Sequence, residues 1–73
     1  MSTKEKRELK IRENPSNVSL EDFEALINHY GYIKEGGSHP KAKIGNTTYP
    51  YKSENPVKQA YVKGILEVID NLK

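Results

Sequence analysis

The 73-residue sequence predicts an α+β fold two layers deep. Three observations carry that expectation. Residues 20–30 form a capped amphipathic helical segment. From Tyr32 to Lys52 the helical period disappears, and a Gly45-Asn46 turn signal separates two β-prone runs. A second amphipathic helix closes the chain. The predicted order is α-β-β-β-α with an extra N-terminal helix, residues 1–13 forming a helical extension and residues 14–73 a single domain. A short three-stranded antiparallel sheet with two helices on one face lets every amphipathic element bury its apolar side.

The first helix is predicted over residues 3–13, TKEKRELKIRE, from composition, with Glu8 and Arg12 spaced for an i,i+4 pair. Its only apolar residues are Leu9 and Ile11, so it has little to bury and a loose attachment is expected. Asn14-Pro15 stops it, because the residue before a proline avoids the α region. Ser19 then caps the next helix, Asp22 stands at the capping-box position, and Val18 and Phe23 have the spacing of a hydrophobic staple. Leu20, Phe23, Ile27 and Tyr30 make one apolar stripe with Leu26 beside them, and Gly31 is placed to end the helix.

Tyr32 to Glu35 reads as a first strand, closed by Gly36-Gly37. Ser38 to Ile44 reads as a second, with His39, Lys41 and Lys43 on one face and Ala42 and Ile44 on the other. After Gly45-Asn46, residues 47–51 return as the third. Pro40 and Pro50 each remove a ladder donor, which places them at an edge, a bulge or a strand end. Asn55 as cap and Pro56 at the first helical position open the last helix. Its stripe is Tyr61, Ile65, Val68, Ile69 and Leu72, flanked by Val62 and Leu66. Gly64 inside it costs about 1 kcal/mol relative to Ala, which points to close packing there.

Composition narrows the function. There is no cysteine, which excludes disulfides, thiol catalysis and cysteine-ligated metal, and the two histidines form no familiar metal site. No metal motif, P-loop or dinucleotide fingerprint occurs, so no cofactor is expected. No apolar run approaches the roughly 18 residues of a membrane span, and a soluble, cytoplasmic protein is the expectation. The net charge of +2 hides an asymmetry: residues 19–35 carry four acids against Lys34, whereas residues 36–64 carry Lys41, Lys43, Lys52, Lys58 and Lys63 against Glu54 alone. A basic middle third suits a polyanion such as RNA, and it equally suits plain solubility.

The unusual stretch is Gly36-Gly37-Ser38-His39-Pro40-Lys41. Two glycines let a backbone approach a phosphate closely, and an imidazole that titrates near neutral pH can take or return a proton at a ribose hydroxyl. Lys41 and Lys43 are suited to holding the phosphate. The same short pattern also describes an ordinary surface histidine. His29, on the first core helix, suits capping or packing, and Ser38 lacks the partners of a serine triad. Tyr32, Tyr49, Tyr51 and Tyr61 are open to base stacking, to a protein partner or to half-buried packing in a small sheet.

Asn14-Pro15-x-x-Val18-Ser19, the helix with Phe23 and Leu26, Gly31-Tyr32, Gly37-Ser38-His39, a hairpin ending in Tyr49-Pro50, and a closing helix with Tyr61-Val62 and Ile65-Leu66 together resemble the HicA family of toxin mRNA interferases. The resemblance runs from about residue 14 to the C-terminus. It implies a fold similar to double-stranded-RNA-binding domains, metal-independent cleavage of messenger RNA, and neutralisation by a HicB-type antitoxin. It implies that His39 is the catalytic residue, activating a ribose 2′-hydroxyl for attack on the adjacent phosphorus. On that chemistry Gly37 gives the turn, Ser38 orients the phosphate or the imidazole, and Lys41, Lys43 and Lys52 contact phosphate. The leaving 5′-oxygen takes its proton from the same imidazole or from Tyr51, Lys52 or water. Neither a membrane nor, for the chain by itself, DNA is an expected partner. A non-catalytic RNA-binding module of the same fold is the alternative.

Overall fold

The computed structural model describes residues 3–72; residues 1, 2 and 73, which fall in the expected extension and at the end of the expected domain, lie outside them. The element order is α1 (Thr3–Glu13), α2 (Leu20–Tyr30), β1 (Tyr32–Lys34), β2 (Lys41–Ile44), β3 (Thr47–Pro50) and α3 (Gln59–Asp70). The sheet is antiparallel in the order β1-β2-β3, and the chain is an α+β protein with an α-β-β-β-α layout preceded by α1.

Alternation along the strands decides which face the helices cover. Ile33, Ala42 and Tyr49 form one cross-strand row. Ala42 and Ile44 are buried, and Ile33 and Tyr49 pack against the same core. Into that face α2 buries Phe23, Leu26 and Ile27, and α3 buries Val62, Ile65, Leu66 and Ile69. Each side chain of this kind removed from water contributes roughly 1.5–3 kcal/mol, so this one core accounts for most of the driving force. Among the described residues no helix covers the opposite face of the sheet.

The α2 cap is as predicted: the Ser19 hydroxyl accepts from the Asp22 backbone N–H at 3.1 Å, and Val18 and Phe23 are both buried. Asp22 uses its carboxylate on Arg7, 3.4 Å away on α1. Gly31 ends α2 for a different reason than a left-handed turn. Its φ of −166° is extended backbone, and a β-carbon there would lie 1.9 Å from the Lys43 carbonyl oxygen. Only glycine lets the helix end pass this close to β2.

Attachment of α1 rests on one apolar anchor and a polar cluster. Ile11 is buried, whereas Leu9 is 49% exposed. The predicted Glu8–Arg12 pair forms at 3.0 Å, Arg12 also makes a two-pronged contact with Asp70 at 2.8 and 3.3 Å, and Tyr30 donates its hydroxyl to Glu8. Each exposed ion pair is worth little alone, but together they join α1 to both core helices.

Four boundaries differ from expectation, one of them the third strand, which ends at Pro50 rather than Tyr51. The first strand ends at Lys34 rather than Glu35. The second starts at Lys41, not Ser38, because Pro40 lacks the N–H that would continue the ladder. Pro40 still serves as an acceptor, its carbonyl taking the Tyr51 N–H at 3.1 Å. Successive N–H groups alternate in direction, so with residue 51 bonded inward the nitrogen of Pro50 points to the outer edge of β3, where no donor is required.

The last helix begins at Gln59, with Lys58 as its cap. Asn55 and Pro56 therefore do not open it. Asn55 Oδ1 instead accepts from the Leu20 N–H at 3.3 Å, and Val57 N–H donates to the Val18 carbonyl at 2.8 Å in a short antiparallel bridge. This connector, whose Asn55–Pro56 peptide is cis, braces the start of α2 rather than coiling into α3. On α3 the stripe also turns slightly, leaving Leu72, beyond the helix end, 48% exposed. Among the described residues no helix is long and apolar enough to cross a membrane.

Candidate functional site

Between β1 and β2 the chain reverses through Gly36, φ 141°, and Gly37, φ 69°, both in the region that disfavours side chains. The reversal pushes Ser38 and His39 into solvent, and both are exposed. His39 was expected on the second strand, sharing a face with Lys41 and Lys43. It stands instead in the turn, because Pro40 ends the ladder before it. No hydrogen bond or ion pair to His39 is present among the described residues.

Lys41 comes back over this turn. Its Nζ lies 3.9 Å from where a β-carbon at Gly37 would stand. An ammonium is thus held beside the glycine backbone, one residue from Ser38 and two from His39 in sequence. A glycine turn with a cation beside it, and an exposed imidazole two residues along in sequence, suits a phosphodiester.

The cross-strand register extends the positive charge. Lys34 faces Lys41, which faces Pro50, and Tyr32 faces Lys43, which faces Thr48. These residues lie on the face opposite the helices. Lys43 donates to the Thr48 hydroxyl at 2.8 Å, which fixes its ammonium over β3 and leaves it two further donors. Lys34 was not singled out in the sequence, although its alternation with Ile33 against the buried row was the signal that it shares this face.

Lys52 is brought to the same end of the sheet by a different route. The Tyr51–Pro40 hydrogen bond continues the β2–β3 register by one pair, and His39 and Lys52 are the next residues outward. Lys52 is partly neutralised by Glu54, whose Oε1 is 3.9 Å from its Nζ. At that distance the contact is an ion pair without a hydrogen bond.

Tyr51 is removed from the candidate proton donors. Its ring is buried edge-on against Phe23, centroids 5.0 Å apart, and its hydroxyl donates to Glu24 at 2.7 Å. Burial pushes the phenol pKa well above its ordinary value, reinforced by the Glu24 hydrogen bond and the charges of Glu24 and Glu35. Tyr49 and Tyr61 are also packed against the core, leaving Tyr32, 60% exposed, as the free ring of the four. His29 is exposed at the end of α2 with its ring edge-on to Tyr30 at 4.8 Å, a packing contact.

Among the described residues no cluster of His, Asp and Glu has the makings of a metal site. A recess of about 270 Å³ lies along α1 between Glu5, Glu8, Leu9 and Arg12 and shares no residue with the lysine face. A phosphate backbone is bound by exposed cations rather than an enclosed cavity, so the open face is the candidate site. Compared with protein-family models, with curated proteins and with solved structures, the chain matches none.

Proposed function

We propose that this chain is a HicA-type toxin, a metal-independent mRNA interferase with a double-stranded-RNA-binding-domain-like fold, acting in the cytoplasm and held in check by a HicB-type antitoxin. The observation that carries this reading is His39, exposed in a glycine turn with the Lys41 ammonium folded over the same turn. In the proposed reaction His39 takes the proton of a ribose 2′-hydroxyl. The 2′-oxygen bonds to the adjacent phosphorus, the bond from phosphorus to the 5′-oxygen breaks, and the leaving oxygen receives a proton. The products are a 2′,3′-cyclic phosphate and a 5′-hydroxyl. With Tyr51 buried, the proton returns from His39 or comes from Lys52 or water. Gly37 and Ser38 shape the phosphate cradle, while Lys41, Lys43 and Lys52 offset its charge. An antitoxin docked over this exposed turn would block imidazole and cations together.

The test uses purified chain and messenger RNA with a chelator present, and His39→Ala as the control. Cleavage by the wild type alone is the expected result, and intact RNA in the wild-type lane overturns it. One observation favours the alternative of a non-catalytic RNA-binding module: among the described residues no carboxylate orients the imidazole of His39. That module would leave RNA intact and retain its affinity in His39→Ala.

A further inference from the structure

Among the four tyrosines open to base stacking, Tyr32 is distinguished by both exposure and neighbours. Its ring is 60% exposed at the start of β1, while Tyr49, Tyr51 and Tyr61 are held by the core. Its cross-strand partner is Lys43, and two residues along β1 is Lys34, which faces Lys41. The two rows are about 7 Å apart along the strand, from 3.4 Å per residue. The open face therefore has an exposed aromatic ring with three lysines at neighbouring strand positions. Its six cross-strand positions are Tyr32, Lys34, Lys41, Lys43, Thr48 and Pro50, none of them acidic.

We propose that this face takes single-stranded RNA, with a nucleobase stacked on Tyr32 and the adjoining phosphates on Lys34, Lys41 and Lys43, a proposal that rests on the RNA function argued above. A base in a duplex has both faces covered by its neighbours, so a tyrosine ring can stack only on an unpaired one. Charge complementarity selects a polyanion, and the ring among the cations selects a polyanion with flat aromatic groups. Tyr32 is thereby a positioning residue: it seats a base so that the backbone runs along the Lys34–Lys41 row toward the turn that holds His39. Cleavage is then confined to unpaired stretches of messenger RNA.

The experiment is binding by the full chain carrying His39→Ala, which keeps the RNA intact, to an oligoribonucleotide of about ten nucleotides with a fluorescent base analogue, within the site sizes usual for single-strand binders. The same strand annealed to its complement is the competitor. The single strand is expected to bind more tightly than the duplex. Adding Tyr32→Ala is expected to weaken binding about tenfold and to abolish the change in base fluorescence, with Tyr32→Phe staying within about threefold. Circular dichroism of each variant establishes that it is folded, as expected for an exposed position.

Equal affinity of the Tyr32→Ala and parent chains, or tighter binding of the duplex, overturns the proposal while leaving RNA as the ligand. Loss of a co-expressed partner protein with RNA binding unchanged would overturn it in favour of protein docking. Failure of the His39→Ala chain to bind either RNA overturns the RNA function itself, and this proposal with it.

Discussion

The ring of Tyr49 occupies the space that a side chain at Gly64 would need: a β-carbon on Gly64 would stand 2.0 Å from the Tyr49 hydroxyl oxygen and 2.5 Å from its Cζ. This contact seats α3 on the ring that β3 projects from Tyr49. Gly64→Ala improves helix propensity by about 1 kcal/mol, yet forcing the ring aside costs more. A net loss of about 1–3 kcal/mol is expected in urea unfolding. Combined with Tyr49→Ala, the substitution should cost less than the two losses added, since the collision is gone.

The Tyr51–Glu24 hydrogen bond makes stability sensitive to alkali. The folded-state pKa of Tyr51 is raised, so its contribution is fully present below the ordinary phenol value of about 10 and is lost as pH rises through the folded value. Tyr51→Phe is expected to cost about 1–2 kcal/mol near neutrality. Above about pH 10 its melting temperature should fall less steeply than that of the wild type. Parallel melting curves across that range would contradict the assignment.

Salt should loosen α1 first. Arg12 ties Glu8 to Asp70 on exposed or half-exposed atoms, within reach of counterions. Arg12→Gln is expected to lower stability by about 0.5–1 kcal/mol at low ionic strength, and by much less in about 1 M salt. Backbone amide exchange over residues 3–13 should accelerate in the variant, while that of β2 stays unchanged.

Lysines that hold phosphates leave a signature in salt dependence. If Lys41 and Lys43 each neutralise one phosphate of a single strand, Lys41→Gln and Lys43→Gln should each lower the slope of log affinity against log salt by about 0.7. The loss should be similar for different RNA sequences, because phosphates carry no base identity. An unchanged slope would remove that lysine from the interface.

Elements with strong local signals were legible in the sequence. Helices α1 and α2 begin and end where composition, the Ser19 cap and Gly31 place them, and the Gly45-Asn46 turn separates β2 from β3 as its residues suggest. Gly64 also packs closely, as its place in a helix implied. What was not legible depends on partners far away in the chain. Asn55 and Pro56 have the local grammar of a helix start, but Val57 pairs with Val18, and the asparagine serves α2 instead.

In the candidate site, the glycine turn and the shared face of Lys41 and Lys43 followed from φ preferences and strand alternation. The place of His39 did not, because one missing N–H at Pro40 decides where the ladder stops. Lys34 and Tyr32 emerged only with the register, which no single strand reveals. Burial likewise separated Tyr51, a core residue bonded to Glu24, from Tyr32, although their sequence surroundings gave no reason to divide them.

Pro50 has a consequence for how copies of this chain meet. A three-stranded sheet presents two open rims, and an open rim with a full row of donors invites a strand from another molecule to join it, and then another. At Pro50 the outward nitrogen of β3 has no hydrogen to offer, so that row is interrupted within a strand of four residues. Pro50 thus works against ribbon growth along this side of the short, uncovered sheet.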